Sequence, residues 1–159
     1  MAMTDDEQTA YDNFRKTVDV SVFTNAPYVR RIEKPWGYEI HFVPDNAPYM
    51  GKLEVLNEGA QNSLQVHDKK QESWYWGGGN PIVVIENQNG EMEEIHLKPG
   101  QGYTCKIGQK HRLKGGEGGG TFIEVSTPEQ GTTFRLEDDY SRPSETEELR
   151  EKRNQEGRN

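Results

Sequence analysis

The chain has 159 residues, a formal net charge of -8 and a single cysteine, Cys105. This length allows about one domain with its own hydrophobic core, and a single cysteine excludes an intrachain disulfide framework. The negative charge argues against general binding to nucleic acids or anionic membranes, and no segment has the apolar length of a membrane span. The N-terminus lacks the basic start and apolar run of a secretory signal, so we expect a cytoplasmic protein with a packed thiol.

The first predicted element is a short amphipathic helix from Thr4 to about Asp19. Thr4 can cap this helix, and Glu7 follows three residues later as the partner of a capping box. Apolar residues recur at helical spacing, at Ala10, Tyr11, Phe14 and Val18. We expect this stripe to pack on the outside of the domain, within an N-terminal extension of residues 1–28. The other interpretation is a partly frayed leader.

Between residues 29 and 135, short runs rich in Val, Ile, Tyr, Phe and Trp alternate with Gly, Pro and Asn breaks. Such runs predict strands, here at 38–43, 51–56, 62–67, 72–77, 81–86, 91–97, 102–107 and 120–126. An Asn-Gly pair at 89–90 predicts a hairpin, and the glycine-rich run 115–120 predicts a flexible turn. Short, evenly spaced strands without a long internal helix predict an all-β fold, an antiparallel sandwich or barrel. We place this domain at 29–142.

The remaining residues, 143–159, form a charged tail with almost no large apolar side chains. This composition predicts a solvated helix or a disordered segment. We assign no function to the tail.

Candidate metal ligands lie in the stretch NSLQVHDKKQESW, residues 62–74. On a strand, Gln65 and His67 are two residues apart, so their side chains point to the same face. We expect residues 68–71 to turn in a hairpin that places Glu72 opposite this pair. Nitrogen and oxygen donors beside a carboxylate suit a first-row divalent metal. His111, which follows a later strand and a glycine-containing turn, is the candidate fourth ligand.

Two spaced motifs carry these residues. The first runs Gly59, five residues, Gln65, one residue, His67, four residues, Glu72, six residues, Gly79, and the second runs Gly100, five residues, Lys106, one residue, Gly108, two residues, His111. Both resemble the paired motifs of the cupin superfamily, whose fold is a double-sheet jelly roll. Most cupins have His at the position of Gln65 and Pro at the position of Lys106.

Gln65 narrows the resemblance to one family within the cupin superfamily. SLQVHDKKQESW is similar to a stretch in the cupin domain of type II mannose-6-phosphate isomerases, where Gln, His, Glu and a later His form the metal site. Further matches lie at EKPWGYE (33–39), at Lys52, at KHRL (110–113), at FIEVSTPEQG (122–131) and at RLEDDYSR (135–142). The resemblance covers residues 29 to 142. It departs from the family at Ser73, where the family has His, and at Lys70, where it has Arg.

The resemblance implies a metal-dependent isomerase that interconverts aldose and ketose forms of a sugar or sugar phosphate through a metal-held enediol. The four implied metal ligands are Gln65, His67, Glu72 and His111. Mixed nitrogen and oxygen ligation suits Zn, Mn, Fe, Co or Ni and does not choose among them. Lys52, if buried with a lowered pKa, is the predicted catalytic base, with Lys70 and Glu124 as further candidates. Arginine hardly loses its proton, so Arg135 and Arg142 are predicted to clamp a phosphate or hydroxyl group.

Two other functions suit the same fold. A non-catalytic cupin would bind a small sugar without turnover, and a different metal-dependent cupin enzyme would be an oxygenase or an epimerase. Proteins that resemble this one commonly pair their barrels, so the resemblance also implies a homodimer. Trp36 is predicted to fill the core, whereas Trp74 and Trp76 suit either the core or a sugar pocket. His41 is predicted to be structural or exposed.

Overall fold

Antiparallel strands dominate the computed structural model, which describes residues 2–156. In chain order the elements are α1 (Asp5–Arg15), a 3-10 turn (Val20–Val22), β1 (Arg30–Lys34), β2 (Gly37–His41), β3 (Met50–Leu56), β4 (Leu64–His67), β5 (Glu72–Glu86), β6 (Met92–His96), β7 (Gly102–Cys105), β8 (His111–Ser126), β9 (Thr133–Glu137) and α2 (Glu147–Glu156). The predicted all-β jelly-roll barrel with a short N-terminal helix is confirmed. β1 and β9 were not predicted, and β5 joins two predicted strands into one.

Two long strands, β5 and β8, pair with each other and connect the remaining strands of the barrel. The sheet runs in the order β1-β2-β3-β8-β4-β9, and β5 pairs with β6, β7 and β8. β8 pairs with β3 along its second half and meets β4 at a single point, where His111 lies opposite Gln65. The inward faces of β2, β3, β4, β5 and β8 therefore surround one interior, where the candidate site lies.

The glycine-rich centres of β5 and β8 bend the two strands and do not end them. The pairing register changes between Trp76 and Gly78, which is typical of a β-bulge that turns a strand. A Cβ atom at Gly120 would lie 2.6 Å from the Cα of Pro81, so glycine alone permits this approach of the two backbones. Strand β8 runs through residues 115–120, and the flexible turn predicted there is wrong.

Apolar side chains from the inward faces pack into one core. Its buried members are Trp36, Leu56, Trp74, Val83, Ile85, Leu97, Cys105, Leu113 and Phe122. The predicted core role of Trp36 is confirmed, and Trp74 shares it, whereas Trp76 is only partly buried against the cluster. Cys105 is buried within the core, as expected for a packed thiol.

The N-terminal helix is capped as predicted but does not pack as predicted. The Thr4 hydroxyl accepts a hydrogen bond from the Glu7 backbone at 3.3 Å, and the Glu7 carboxylate accepts one from the Thr4 backbone at 2.8 Å. None of the helix residues is buried, and Phe14 is 62% exposed. The expected packing of the apolar stripe is therefore wrong. The helix ends at Arg15, short of Asp19, whose side chain caps the following 3-10 turn.

The C-terminal helix α2 is attached to the barrel through Arg150. This side chain is buried and donates two hydrogen bonds, each of 3.2 Å, to the Gly131 carbonyl. A helix was one of the two predicted states of the tail, of which residues 157–159 lie outside the described residues. The division into 1–28, 29–142 and 143–159 stays a prediction. Across residues 2–156, neither helix combines the length and apolarity needed to cross a membrane.

Candidate metal centre

Three strands bring the predicted metal ligands together. Gln65 and His67 lie on β4, Glu72 begins β5, and His111 begins β8. The predicted hairpin between β4 and β5 is wrong, because β4 is flanked by β8 on one side and by β9 on the other. Both edges of β4 are thus occupied, and Glu72 reaches the other ligands across the barrel interior. The side chains still converge, but from opposite walls.

Two imidazoles and one carboxylate face a common point. The ligand atoms of His67, Glu72 and His111 all lie within 4.8 Å of one another, and all three residues are buried. The Nε2 atom of His67 is 3.4 Å from Glu72 Oε1, and that of His111 is 3.2 Å from Glu72 Oε2. Neither His67 Nε2 nor Glu72 Oε2 has a well-oriented hydrogen-bond partner among the described residues. Unpartnered buried polar atoms are costly, and a divalent cation between them would satisfy both.

Hydrogen bonds on the far side of each imidazole fix its orientation. His111 Nδ1 lies 2.9 Å from the Gln109 carbonyl, which can only accept, so Nδ1 carries a proton and a metal would have to displace the proton on Nε2 to bind there. His67 Nδ1 lies 3.1 Å from the Thr133 hydroxyl. Such outer partners orient metal-binding histidines in proteins generally. Burial alone would lower the pKa of His111, but hydrogen bonds with Cys105 and Glu72 raise it to about 10.

Gln65 reaches the same point with its side-chain amide. The amide nitrogen lies 3.3 Å from His111 Nε2, and the amide oxygen accepts a hydrogen bond from the Ser63 hydroxyl at 3.0 Å. The two ends of a glutamine amide have nearly the same shape, so a half-turn exchanges them without moving the chain. Ligation of a metal by Gln65 requires that half-turn, since the oxygen is the donor to a cation.

Lys70 neutralises the other oxygen of the central carboxylate. Its ammonium lies 2.6 Å from Glu72, 3.1 Å from Glu124 and 3.0 Å from Glu129. Burial disfavours the ammonium, but these carboxylates raise the pKa of Lys70 well above its usual value. Burial likewise opposes the ionised form of Glu72, yet Lys70 and the two histidines hold its pKa well below the usual range. Glu72 is therefore ionised at neutral pH, with Oε2 left to face the histidines.

The expected lowering of the Lys52 pKa is wrong. Lys52 is buried, and its ammonium lies 2.9 Å from Glu54, 3.3 Å from Glu124 and 3.4 Å from Glu39. Burial alone would lower the pKa, but the three carboxylates raise it well above the usual value of a lysine. Lys52 is therefore a permanent cation that can donate hydrogen bonds and cannot accept a proton.

Solved structures identify the fold. A scan against protein-family models and a search of curated proteins find no match. An oxalate decarboxylase variant from Bacillus subtilis aligns with a TM-score of 0.59 and 20% identity over 72% of this chain, which spans only 33% of that protein's length. KdgF from Halomonas sp. aligns with a TM-score of 0.53 and 18% identity over 64% of this chain and 89% of its own. Both are cupin-fold proteins.

The chain has the cupin fold. A further match, the formate complex of the Lactobacillus farciminis oxalate decarboxylase, gives a TM-score of 0.59 and 19% identity over 72% of this chain and 37% of that one. At such identities the likeness establishes the fold alone.

The cupin barrel holds a cavity of about 540 Å³ beside the candidate centre. Its carboxylates are Glu33, Glu39, Asp45, Glu54, Glu72, Glu124, Glu129 and Glu145, and its basic residues are Arg30, Lys34, Lys52, Lys70, Arg135, Arg142, Arg150 and Arg153. Lys52 and Lys70 are buried among the carboxylates, whereas the side chains of Arg30 and Arg153 are 44% and 58% exposed. Carboxylates thus surround the buried lysines, whereas the solvent-facing side carries both signs of charge, with Arg30 paired to Asp45 and Arg153 paired to Glu145.

The two predicted arginine clamps line this cavity but are already paired within the chain. Arg142 makes two hydrogen bonds of 2.9 Å to the Asp138 carboxylate. Arg135 donates to the Pro143 carbonyl at 2.5 Å and lies 3.6 Å from Glu145. Their clamping role stays a prediction, and it requires Arg142 to bind substrate with the nitrogen that Asp138 leaves free.

Sequence reasoning missed the second polar wall of the cavity, formed by Glu39, His41 and Glu54. His41 was expected to be structural or exposed, and it is buried with its Nε2 2.9 Å from Glu39. Strand parity held the missing signal for Glu54. Residues 52, 54 and 56 share one face of β3, and Leu56 belongs to the core, so Glu54 must point inward with it.

Proposed function

We propose that this cupin is a metal-dependent enzyme that interconverts the aldose and ketose forms of a sugar or sugar phosphate. One observation supports the metal: His67 Nε2 and Glu72 Oε2 are buried, belong to a cluster whose ligand atoms lie within 4.8 Å of one another, and have no well-oriented hydrogen-bond partner among the described residues. With His111 and the Gln65 amide, they form a donor set that suits a first-row divalent ion. Such an ion would supply Lewis-acid stabilisation of negative charge on substrate oxygens.

The cavity supports a polyhydroxylated substrate. Its volume of about 540 Å³ lies within the range of small-molecule sites. Buried carboxylates can accept hydrogen bonds from hydroxyl groups, and the ring N–H groups of Trp36 and Trp74, which line the cavity, have no partner among the described residues. These groups suit a ligand that offers both hydroxyl donors and oxygen acceptors.

Cations near the solvent-facing side of the cavity support a phosphate on that substrate, which would compete with the carboxylates that pair with them. Arg30, Lys34, Arg142 and Arg153 are the partly or well exposed members of its basic lining. A sugar phosphate placed with its hydroxyls inside would put its phosphate among these cations, which bind phosphate through charge-assisted hydrogen bonds. The motif resemblance to type II mannose-6-phosphate isomerases points to the same class of substrate.

The decisive experiment follows the C2 proton. Metal-loaded protein is incubated in heavy water with a panel of hexose and pentose phosphates and the corresponding free sugars. We expect deuterium to enter C2 of an aldose and its ketose product to form, with wild type and the exposed-histidine variant His96→Ala equally active and His111→Ala inactive. Absence of exchange with every sugar, in protein that holds metal, would contradict isomerase activity.

The same assay separates the alternatives. The aligned oxalate decarboxylases are named for a small dicarboxylic acid, and the basic lining would also suit a carboxylate. Release of carbon dioxide from such an acid without C2 exchange would make this protein a different metal-dependent cupin enzyme. Saturable sugar binding without exchange would make it a non-catalytic binding protein. We also propose a homodimer, which light scattering on the purified chain would test.

A further inference from the structure

Glu54 is a buried carboxyl group with one oxygen paired to Lys52 and the other without a hydrogen-bond partner among the described residues. It is 3% exposed and lines the cavity from the middle of β3. Its Oε1 atom lies 2.9 Å from the Lys52 ammonium. Its Oε2 atom is buried and has no hydrogen-bond partner within the described part of the chain. A free carboxyl oxygen inside a cavity is positioned to meet a ligand.

The groups around Glu54 come from every neighbouring strand. β2 contributes Glu39, which lies directly opposite Glu54 in the ladder, and His41, which contacts Glu39. β8 contributes Glu124, and Lys52 of Glu54's own strand lies between these acids. The carboxylates of Glu39, Glu54 and Glu124 therefore share one ammonium.

Because the three acids share one cation, their pKa values differ. Burial of Glu39 favours its neutral form, but Lys52 and His41 hold its pKa well below the usual range. Burial raises the pKa of Glu54 to about 8, with the charges of Glu124, Glu39 and Glu72 adding to the effect against Lys52. Glu54 thus gains and loses a proton near neutral pH, which is where a general acid–base residue is most effective.

We propose that Glu54 carries the proton between C2 and C1 of the bound sugar. This assignment rests on the proposed isomerase function. It also replaces Lys52, whose fixed positive charge excludes it as the base. Lys52 instead acts as a positioning residue that holds Oε1 so that Oε2 points into the cavity.

The proton transfers balance without another reactant. Ionised Oε2 takes the proton from C2 of the aldose, the C2–H electron pair becomes the C1–C2 double bond, and the carbonyl electrons move to O1. The hydroxyl proton on O2 then passes to O1. The neutral Glu54 carboxyl returns its proton to C1 as the carbonyl forms at C2, which gives the ketose and restores the carboxylate. A single residue serves as base and acid in turn.

The test compares wild type with Glu54→Gln, Glu54→Asp and the control Glu117→Gln, all loaded with metal. Glu117 is exposed in the glycine-rich part of β8 and lies outside the cavity lining. Each protein is measured for bound metal per chain, for the rate of C2 deuterium exchange with aldose phosphates, and for the pH dependence of that rate.

We expect Glu54→Gln to retain its metal and to lose about 100-fold or more in exchange rate, while Glu117→Gln behaves as wild type. Because the base must be ionised, the wild-type rate rises with pH through the titration of Glu54 and then levels off. Glu54→Asp keeps this rise at a lower rate, since it retains a carboxyl in a displaced position. The residual rate of Glu54→Gln lacks the rise.

Three results would overturn the assignment. Wild-type exchange in metal-bearing Glu54→Gln would show that another residue carries the proton. If both Glu54 variants lost their metal as well as their exchange activity, Glu54 would have a structural role. No exchange in wild type with any aldose would remove the isomerase function itself, and is distinguishable because the other two results require an active wild type.

Discussion

At the residue scale, the interior of this cupin depends on two lysines that each serve three carboxylates. Lys52 contacts Glu39, Glu54 and Glu124, and Lys70 contacts Glu72, Glu124 and Glu129. Buried ion pairs are costly to form but far more costly to break, because the partner left behind is a buried and uncompensated charge. The two lysines are therefore structural requirements of the site, whatever they contribute to chemistry.

Replacing Lys52 by Met should destabilise the fold by about 3–5 kcal/mol at pH 7. The loss should shrink at pH 4, where the orphaned carboxylates can take up protons. Urea unfolding at the two pH values measures both effects. Lys98→Met is the matched control, because Lys98 is exposed, and its unfolding free energy should stay within about 0.5 kcal/mol of wild type. Equal effects at the two positions would show that Lys52 is not holding the carboxylates together.

Glu54 should make the fold less stable as the pH rises. Its pKa is raised from the usual 4.5 to about 8 on folding, so between these values the folded state binds the proton that the unfolded state has lost. Stability from this group is fully present below pH 4.5 and is lost as the pH rises towards about 8. The Glu54→Gln variant is uncharged at this position at every pH. Between pH 5 and pH 8 its unfolding free energy should therefore rise by at least about 1 kcal/mol relative to that of wild type. If the unfolding free energies of the two proteins changed in parallel with pH, the raised pKa of Glu54 would be contradicted.

Sequence could place the candidate ligands but not the charges around them. Strand parity and the motif resemblance put Gln65, His67, Glu72 and His111 in one site, and their side chains do converge. The pKa of Lys52 was predicted with the wrong sign, because its direction depends on acids from β2 and β8 that meet only in the folded barrel. Glu54 was missed because it belongs to no motif, and only strand parity on β3 indicates that it points inward.

At the element scale, hydrophobic runs located the strands well and their partners poorly. The segments at 51–56 and 102–107 match β3 and β7 closely. The hairpin expected from β4 to β5 failed because local sequence does not show that β8 and β9 occupy both edges of β4. The glycine-rich run 115–120 was expected to be a turn, since the same residue type that permits a turn also permits two strands to cross closely at a bend.

The bend between β5 and β8 should tolerate no side chain at Gly120. A Cβ there would lie 2.6 Å from the Cα of Pro81, which is backbone and cannot move away cheaply. We expect Gly120→Ala to cost about 1–3 kcal/mol of unfolding free energy. Gly118→Ala is the control, because Gly118 has a positive φ of 71° but nothing within 4 Å of its Cβ position, so it should lose only about 1 kcal/mol. A larger loss at Gly118 would contradict close packing at the bend.

At the scale of the whole molecule, both signs of charge meet in the cavity. The chain carries -8 overall, and buried carboxylates surround Lys52 and Lys70 in the cavity interior. A divalent cation at His67, Glu72 and His111 would offset part of the interior negative charge. The charge of the barrel interior would therefore favour a bound cation, as does the geometry of its ligands.

Metal content of the purified protein tests this account most directly. Wild type, the double variant His67→Ala with His111→Ala, and the control His96→Ala are each incubated with divalent ions, desalted and analysed for bound metal. His96 is a suitable control because its side chain is 65% exposed. We predict near-stoichiometric metal in wild type and in His96→Ala, and loss of that metal in the double variant. Wild type without metal, or a double variant that retains it, would contradict the metal centre and the chemistry built on it.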